Sequence, residues 1–401
     1  MFNLELLLPV GSIENFFAAI RGGADAVYLG LKNFNARKKA KNFSYTEVFN
    51  LVREAHKNNV KVFITINTLI KNSEISELIK TLEIVSQIKP DAIIIQDFAI
   101  ANLVKKYFNN IKIHASTQLA SHNSADCVFF KKQGFERVIL ARELTENELI
   151  SISKNSDIQK EIFVHGALCY SFSGHCLFSS FLGGNSANRG MCTQVCRRNF
   201  ISENQKEPFF SLKDLQLINN IPLFSKLKIN SLKIEGRMKS PEYVYVTSKA
   251  YRNAIDNFDM IEKSEEQLEQ DFGREKTDFF FGKNISESIS ENPSTGIFLG
   301  KIFKLNSNSF QIISNIDLTK TSKLRVRIFS DTETEYIKIQ KIEKNQNNKY
   351  TIYCNTDNLI ENIEIFHVGN IINTTNSFTN YIDKKFQYLP DSQIKAIVNS
   401  F

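Results

Sequence analysis

The chain has 401 residues, room for two or three domains of ordinary size. Its 42% hydrophobic and 23% charged residues are those of a folded globular protein, which excludes wholesale disorder, collagen-like structure and a fibrous coiled coil. With 50 basic against 43 acidic residues the net charge is +7, an excess that permits an anionic or nucleic-acid partner without requiring one.

Eight short β-rich runs occur in the first 260 residues: Leu4–Leu8, Asp25–Leu29, Lys61–Ile66, Asp91–Ile95, Ile111–Ala115, Arg137–Ala141, Glu161–His165 and Ser231–Ile234. Helical stretches separate most of them. Ser44 opens one whose Val48, Leu51, Val52 and Ala55 fall on a single face, and Pro241–Asn257 follows the eighth run. Near-continuous apolar strands suit a parallel sheet covered on both faces. At this count and length the expected fold is a (β/α)8 TIM-type barrel over residues 1–260, with a Cys-rich loop at 166–200 inserted after strand seven. An open doubly wound sheet is the second reading, weakened because no Gly-x-Gly-x-x-Gly follows the first strand. Residues 261–294 read as a linker or extension. Residues 295–375 read as a small all-β barrel domain, since short strands alternate there with Asn, Asp, Thr and Lys turns. Lys344–Lys349 (KNQNNK) reads as a solvated hairpin turn, and 376–401 as a tail.

No apolar run approaches the ~20 residues of a membrane span. Met1–Val10 carries Glu5 and lacks a basic flank, so it does not read as a signal peptide, and a soluble cytoplasmic protein with no membrane partner is expected.

Active sites of such barrels lie at the C-terminal ends of the strands. The polar residues there are Arg37, Asn67, Gln96, Asp97, Ser116–Gln118, Arg142, Glu143, His165, Glu235 and Arg237. Each alone can be a cap or a ladder-closing residue; core packing does not explain polar groups at seven of eight strand ends. Arginine forks match carboxylates and phosphates, so Arg37, Arg142 and Arg237 point to an anionic ligand in the mouth. His165 is a candidate proton shuttle or a satisfied core histidine. Glu235 is a candidate general base or the ion-pair partner of a neighbouring cation.

The strongest signal is Cys169-x6-Cys176-x15-Cys192-x3-Cys196. Four thiols on one glycine-rich loop, in a long chain without a signal peptide, suggest metal rather than disulfide chemistry. A 4Fe–4S cluster, structural zinc and no metal all remain open on spacing, which matches neither paired CxxC zinc motifs nor a ferredoxin run. Cys127 and Cys354 read as ordinary buried residues. Arg189, Arg197, Arg198, Lys213, Lys233, Arg237 and Lys239 are candidate phosphate contacts, or a solvated rim.

The run Glu161–Cys169 (EIFVHGALC), Ser173–Cys176 (SGHC), Ala187–Cys192 (ANRGMC) and Cys196–Arg197 resembles the signature of peptidase family U32, the collagenase-like group. Leu7–Glu14, Gly23–Gly30, Ile113–Gln118, Val138–Leu144, Ser211–Leu215 and Leu232–Ser240 resemble further family blocks. The resemblance covers about residues 4–300. It implies a 4Fe–4S cluster held by Cys169, Cys176, Cys192 and Cys196. It also implies RNA hydroxylation, best matched by the branch that converts the tRNA wobble uridine to 5-hydroxyuridine and is linked to prephenate. The alternatives it carries are hydroxylation of a 23S rRNA cytidine and a collagenase-like peptidase. On this reading RNA, most simply tRNA, is the partner. Arg37, Asn67, Gln118, Arg142, Lys233 and Arg237 are the candidate substrate-binding residues, and His165 and Glu235 the catalytic candidates. A hydrolase shows no HExxH or GxSxG here; Cys169 or Cys176 beside His165 or His175 would have to serve. A third reading is an accessory factor whose cluster shapes a binding surface.

Overall fold

A computed structural model describes residues 4–38, 40–203, 205–269, 271–282, 285–290, 296–306, 308–327, 334–354, 361–370, 389–390 and 392–394. Eight parallel strands form the barrel: β1 (Glu5–Pro9), β2 (Ala26–Gly30), β3 (Lys61–Ile66), β4 (Ala92–Ile95), β5 (Ile113–Ala115), β6 (Arg137–Ile139), β7 (Gln159–Ala167) and β8 (Ser231–Ile234). Each pairs with its neighbour, and β8 pairs with both β7 and β1, which closes the sheet.

Helices α1 (Ile13–Gly22), α2 (Tyr45–Lys57), α3 (Ile75–Ile88), α4 (Phe98–Tyr107), α5 (Ser124–Lys132), α6 (Glu146–Asn155), α7 (Ile221–Lys226) and α8 (Pro241–Asp256) follow the strands. Local chemistry sets their starts. Ser44 and Thr145 close capping boxes with Glu47 and Glu148, satisfying backbone N–H groups that the first turn leaves orphaned. The α2 stripe of Val48, Leu51, Val52 and Ala55 is buried, as its spacing requires.

The strands are less apolar inside than their sequences suggest. Within the barrel Arg137 binds Glu5 at 2.5 Å and Glu161 at 3.1 Å, and Lys233 binds Glu161 at 2.8 Å. Lys61 reaches Glu5 at 2.8 Å from the solvent side. Aromatic faces fill the remaining coordination: the Arg137 guanidinium lies 5.2 Å from the Phe63 ring, and the Lys233 ammonium 4.3 Å from Tyr28 and 5.3 Å from Phe163. Two buried carboxylates thus meet two buried cations, and none is left uncompensated. Lys233, expected among the substrate-binding residues, is spent here, buried on Glu161 below the mouth.

Residues 261–290 are an extension of the barrel rather than a linker. They form a helix at Ile261–Leu268 and a strand at Lys276–Thr277. That strand pairs with Asp214–Gln216, which in turn runs antiparallel to the end of β7.

Beyond it, two four-stranded antiparallel sheets share one core of Ile302, Phe310, Ile312, Leu324, Val326, Ile337, Ile352 and Ile365. The chain passes from one sheet to the other at Ile302 and again at Lys338. The expected hairpin joins Ile339–Lys344 to Lys349–Cys354, and its Asn347 and Asn348 sit at φ +60° and +55°, the conformation such tight turns require. Cys354 is buried in this core and Cys127 in that of the barrel. Most of the expected tail lies outside the described residues; Leu389 exchanges hydrogen bonds with Asn50 of α2. Among the described residues no helix is long and apolar enough to cross a membrane.

Candidate functional site

Three loops at the C-terminal end of the barrel bring Arg37, Arg142 and Arg237 around a single carboxylate, Glu235. Arg37 Nη2 lies 3.2 Å from Glu235 Oε1, and the Tyr28 hydroxyl donates to Glu235 Oε2 at 3.2 Å and to the Ile234 carbonyl at 2.9 Å. Arg237 Nη1 donates to Thr65 Oγ1 at 3.0 Å, directly over Gly30; a Cβ at Gly30 would lie 2.5 Å from that nitrogen. Arg142 stacks on Phe163 at 3.8 Å and donates to the Ala167 carbonyl at 2.8 Å, while its buried Nε has no hydrogen-bond partner among the described residues.

Burial pushes the Glu235 carboxyl up, but Arg37, Arg142 and Arg237 overcome it and pull it down to about 2. Burial and the nearby Arg37 lower Arg237 to about 10. Burial raises the Tyr28 phenol well above its ordinary value. Glu235 is therefore a settled anion with little appetite for protons, which argues against the general-base role expected of it. Three guanidinium groups against one carboxylate leave the mouth with a positive excess, the electrostatics of an anion site. Tyr28 was not singled out from sequence; its alternation within β2 (AVYLG) was the available signal.

Asn67 and Gln118 link the loops. Asn67 accepts from the Ala36 N–H at 3.0 Å and donates to Gln118 Oε1 at 3.2 Å, and the Gln118 carbonyl takes a hydrogen bond from His175. Both lie at strand ends and hold the Arg37 loop against the cysteine loop. Lys38 N–H adds a bond to the Gly190 carbonyl at 3.2 Å. Gly190 has φ +82°, and a Cβ there would stand 2.5 Å from the Asn35 carbonyl oxygen, so the approach of these loops needs glycine.

All four cysteines of the loop are half-buried free thiols. Two accept backbone N–H groups two residues on: Phe178 to Cys176 at 3.4 Å and Gln194 to Cys192 at 3.3 Å. Cys169 contacts the Ser171 hydroxyl at 3.1 Å. Burial raises the Cys196 thiol, and Cys169, Cys192 and Cys176 add to the rise against the pull of Arg197, so all four thiols share one electrostatic neighbourhood. Among the described residues no three His, Cys, Asp or Glu side chains are packed closely enough to chelate one metal ion.

His165 is not in the mouth. Phe163 faces the barrel interior, but a bulge in the β7–β8 ladder between Lys233 and Ile234 breaks the alternation. His165 turns instead toward α8, packs on Tyr243 and Tyr251, and bonds Asp271 at 2.7 Å. Asp271 also holds Lys276 at 2.6 Å. Burial lowers the histidine's pKa, against the upward pull of Asp271. His165 is thus a core histidine tying the extension to the barrel.

The expected rim of phosphate contacts is also mostly committed elsewhere. Arg189 holds Glu74 at 2.5 Å and the Leu69 carbonyl; Lys213 pairs with Glu275 at 3.5 Å and Lys239 with Asp214 at 4.0 Å. Arg197 donates to the Leu168 carbonyl at 2.7 Å, to Ser211 Oγ at 3.1 Å and to the Leu212 carbonyl. Arg198 is exposed. On the same inserted loop, Tyr170, Phe172, Leu177 and Phe181 are exposed, Phe181 to 85%.

The model of peptidase family U32 matches residues 11–290. The chain belongs to peptidase family U32. A relative named as an uncharacterised protease of Methanocaldococcus jannaschii is 36% identical over 310 residues, 72% of this chain and 75% of that protein. The tRNA hydroxylation protein P1 of Bacillus subtilis is 34% identical over 297 residues, 69% of this chain and 70% of that one. A collagenase of Porphyromonas gingivalis is 32% identical over 316 residues, 71% and 75% of the two chains. This U32 chain therefore has relatives whose names divide between proteolysis and RNA hydroxylation, and its own site must choose between them.

Proposed function

We propose that the chain is an iron–sulfur enzyme of RNA modification, hydroxylating the tRNA wobble uridine to 5-hydroxyuridine with prephenate or a similar dicarboxylate held in the barrel mouth. The observation that carries the reading is the juxtaposition of four thiols on one loop with an arginine-rich mouth. Cys169, Cys176, Cys192 and Cys196 would hold the 4Fe–4S cluster. The donor set fits it: thiolates are the ligands of such clusters, and N–H groups aimed at two of the sulfurs offset their charge. When bound, the cluster supplies one-electron chemistry.

The chain's own residues do the rest. Arg142 and Arg237, fixed by Ala167 and Thr65, present cationic forks to the ligand's carboxylates, and the more exposed Arg37 completes the set. Tyr28 offers a hydroxyl on the floor of the mouth, and burial keeps it protonated at neutral pH. The exposed aromatic side chains Tyr170, Phe172 and Phe181, with Arg198, suit unpaired bases that stack on rings, the usual mode of recognising RNA loops.

The peptidase reading is weakened by geometry. A cysteine nucleophile needs a neighbouring base. Among the described residues neither His165, buried on Asp271, nor His175, bonded to the Gln118 carbonyl, hydrogen-bonds Cys169 or Cys176.

Nucleoside mass spectrometry of tRNA and rRNA from a deletion strain tests the proposal. Loss of 5-hydroxyuridine-derived nucleosides, restored by the wild-type gene and not by Cys169→Ser, is expected. Loss of a hydroxycytidine in 23S rRNA instead would move the substrate to the ribosome. Unchanged RNA, with colourless protein after anaerobic purification, would sink the reading.

A further inference from the structure

The β domain carries a row of side chains that its own core does not explain. Strands Ile297–Lys301, Glu364–Asn370, Ser322–Arg327 and Thr334–Ile337 lie side by side in one antiparallel sheet. Their registers set Phe298 opposite Phe366, Phe366 opposite Arg325, and Arg325 opposite Tyr336. Opposed residues share a face of the sheet, and the adjacent Leu324, Val326, Ile337 and Ile365 fill the core, so this row stands on the outer face. Its two ends are aromatic and open to solvent, Phe298 at 51% and Tyr336 at 66%. Between them the Phe298 and Phe366 ring centroids are 5.4 Å apart, and the Arg325 guanidinium lies 5.5 Å from the Phe366 ring. The charged residues among the described side chains of these strands are Lys301, Lys323, Arg325 and Glu364, with Glu364 opposite Lys301. Three cations against one carboxylate give the face a positive sign. The sheet is also fixed to the barrel: the Gly296 N–H donates to the Gly273 carbonyl at 3.0 Å, and Phe272 packs on His367.

We propose that this face is a second RNA contact, stacking unpaired bases on Phe298 and Tyr336 and holding the intervening phosphates with Lys301, Lys323 and Arg325. The inference rests on the RNA reading above and adds a surface outside the barrel. The charge selects the partner. Exposed rings interleaved with cations are what single-stranded nucleic acid needs, because it offers π faces and phosphates in alternation. Three strand spacings of about 4.8 Å place the two rings roughly 14 Å apart across the sheet. That span suits the two or three bases that a four-stranded sheet stacks on its aromatic residues in RNA-binding modules. Bases inside a duplex are already stacked on one another and present no free face, so the contact discriminates strandedness. It does not discriminate sequence, since every base has a π face. The β domain on this account supplies grip on unpaired RNA, and the choice of nucleotide is left to the barrel.

The chain has no tryptophan, so Tyr336→Trp in the full-length protein places a single fluorescent reporter on the face. A single-stranded RNA of about 12 nucleotides should quench it saturably, and a duplex of the same length should not. Anisotropy of the fluorescein-labelled single strand should show Phe298→Ala and Tyr336→Ala each weakening binding about tenfold with the salt dependence unchanged. Lys323→Ala should instead lower the slope of log affinity against log salt by about 0.7. All three side chains are exposed, so their removal spares the core. If the labelled RNA binds while the tryptophan stays unquenched and the alanine variants match the wild type, the RNA sits elsewhere; the second contact is then wrong and the RNA reading stands. A tryptophan signal that follows protein concentration and ignores RNA would assign the face to a second copy of the chain and overturn the proposal. If the wild type binds neither this strand nor tRNA, the contact and the RNA reading fall together.

Discussion

The barrel contains two charged regions a few side chains apart, and they obey opposite rules. In the interior, Glu5, Arg137, Glu161 and Lys233 alternate in sign and satisfy one another. At the mouth, Arg37, Arg142 and Arg237 share one carboxylate, and the Arg142 Nε has no acceptor among the described residues. The balanced set holds the barrel together; the unbalanced set stays poised for something that arrives from outside. Counting charges against partners thus separates support from function where residue type alone does not, since arginine serves in both.

The sharpest way to break this contrast is Arg137→Ala. It removes one of the two buried cations, leaving Glu161 with Lys233 and Glu5 with Lys61 alone, and should cost about 3 kcal/mol of stability, read by urea unfolding. Affinity of the fraction that remains folded for succinate, a simple dicarboxylate, should be unchanged. Acid provides the next test. Glu235 is held at about 2 against an ordinary 4.5, so its stabilisation is complete above pH 4.5 and disappears as pH falls toward 2. Wild type should lose on the order of 3 kcal/mol more than Glu235→Gln across that window, and equal pH profiles would show that the arginines do not act on this carboxylate. Arg142→Gln should lower succinate affinity about tenfold while costing only ~1 kcal/mol in stability, the reverse of the Arg137 pattern. The smallest effect belongs to a site in neither region. Lys89 caps α3 with φ +57°, so Lys89→Gly should add about 0.5–1 kcal/mol without touching ligand binding.

The barrel was legible in the sequence because each strand is a local apolar run and each helix carries its own cap and stripe. Residues Lys61–Ile66 and Ser231–Ile234 match their strands from end to end. The interior ion pairs were not legible, since Glu5 and Arg137 are separated by 132 positions and meet only when the sheet closes. Lys233 was consequently assigned to the mouth. For His165 the sequence leaves proton shuttle and core histidine open: alternation carried past Phe163 puts it inside, and only the bulge beside Ile234 reveals that the strand turns over. Glu235 and the three arginines are visible as strand-end residues, but their electrostatic coupling depends on three loops converging. The cysteine spacing stood out at once, whereas the N–H groups that face Cys176 and Cys192 come from backbone geometry that spacing does not encode.

Arg197 joins the carbonyl just before Cys169 to the Ser211–Leu212 segment, and it directly follows Cys196. The first and last thiols of the inserted loop are thereby anchored by polypeptide alone. This lip of the barrel should therefore stay in register whether or not its thiols hold a metal, so that a group bound there can leave and return to a standing frame.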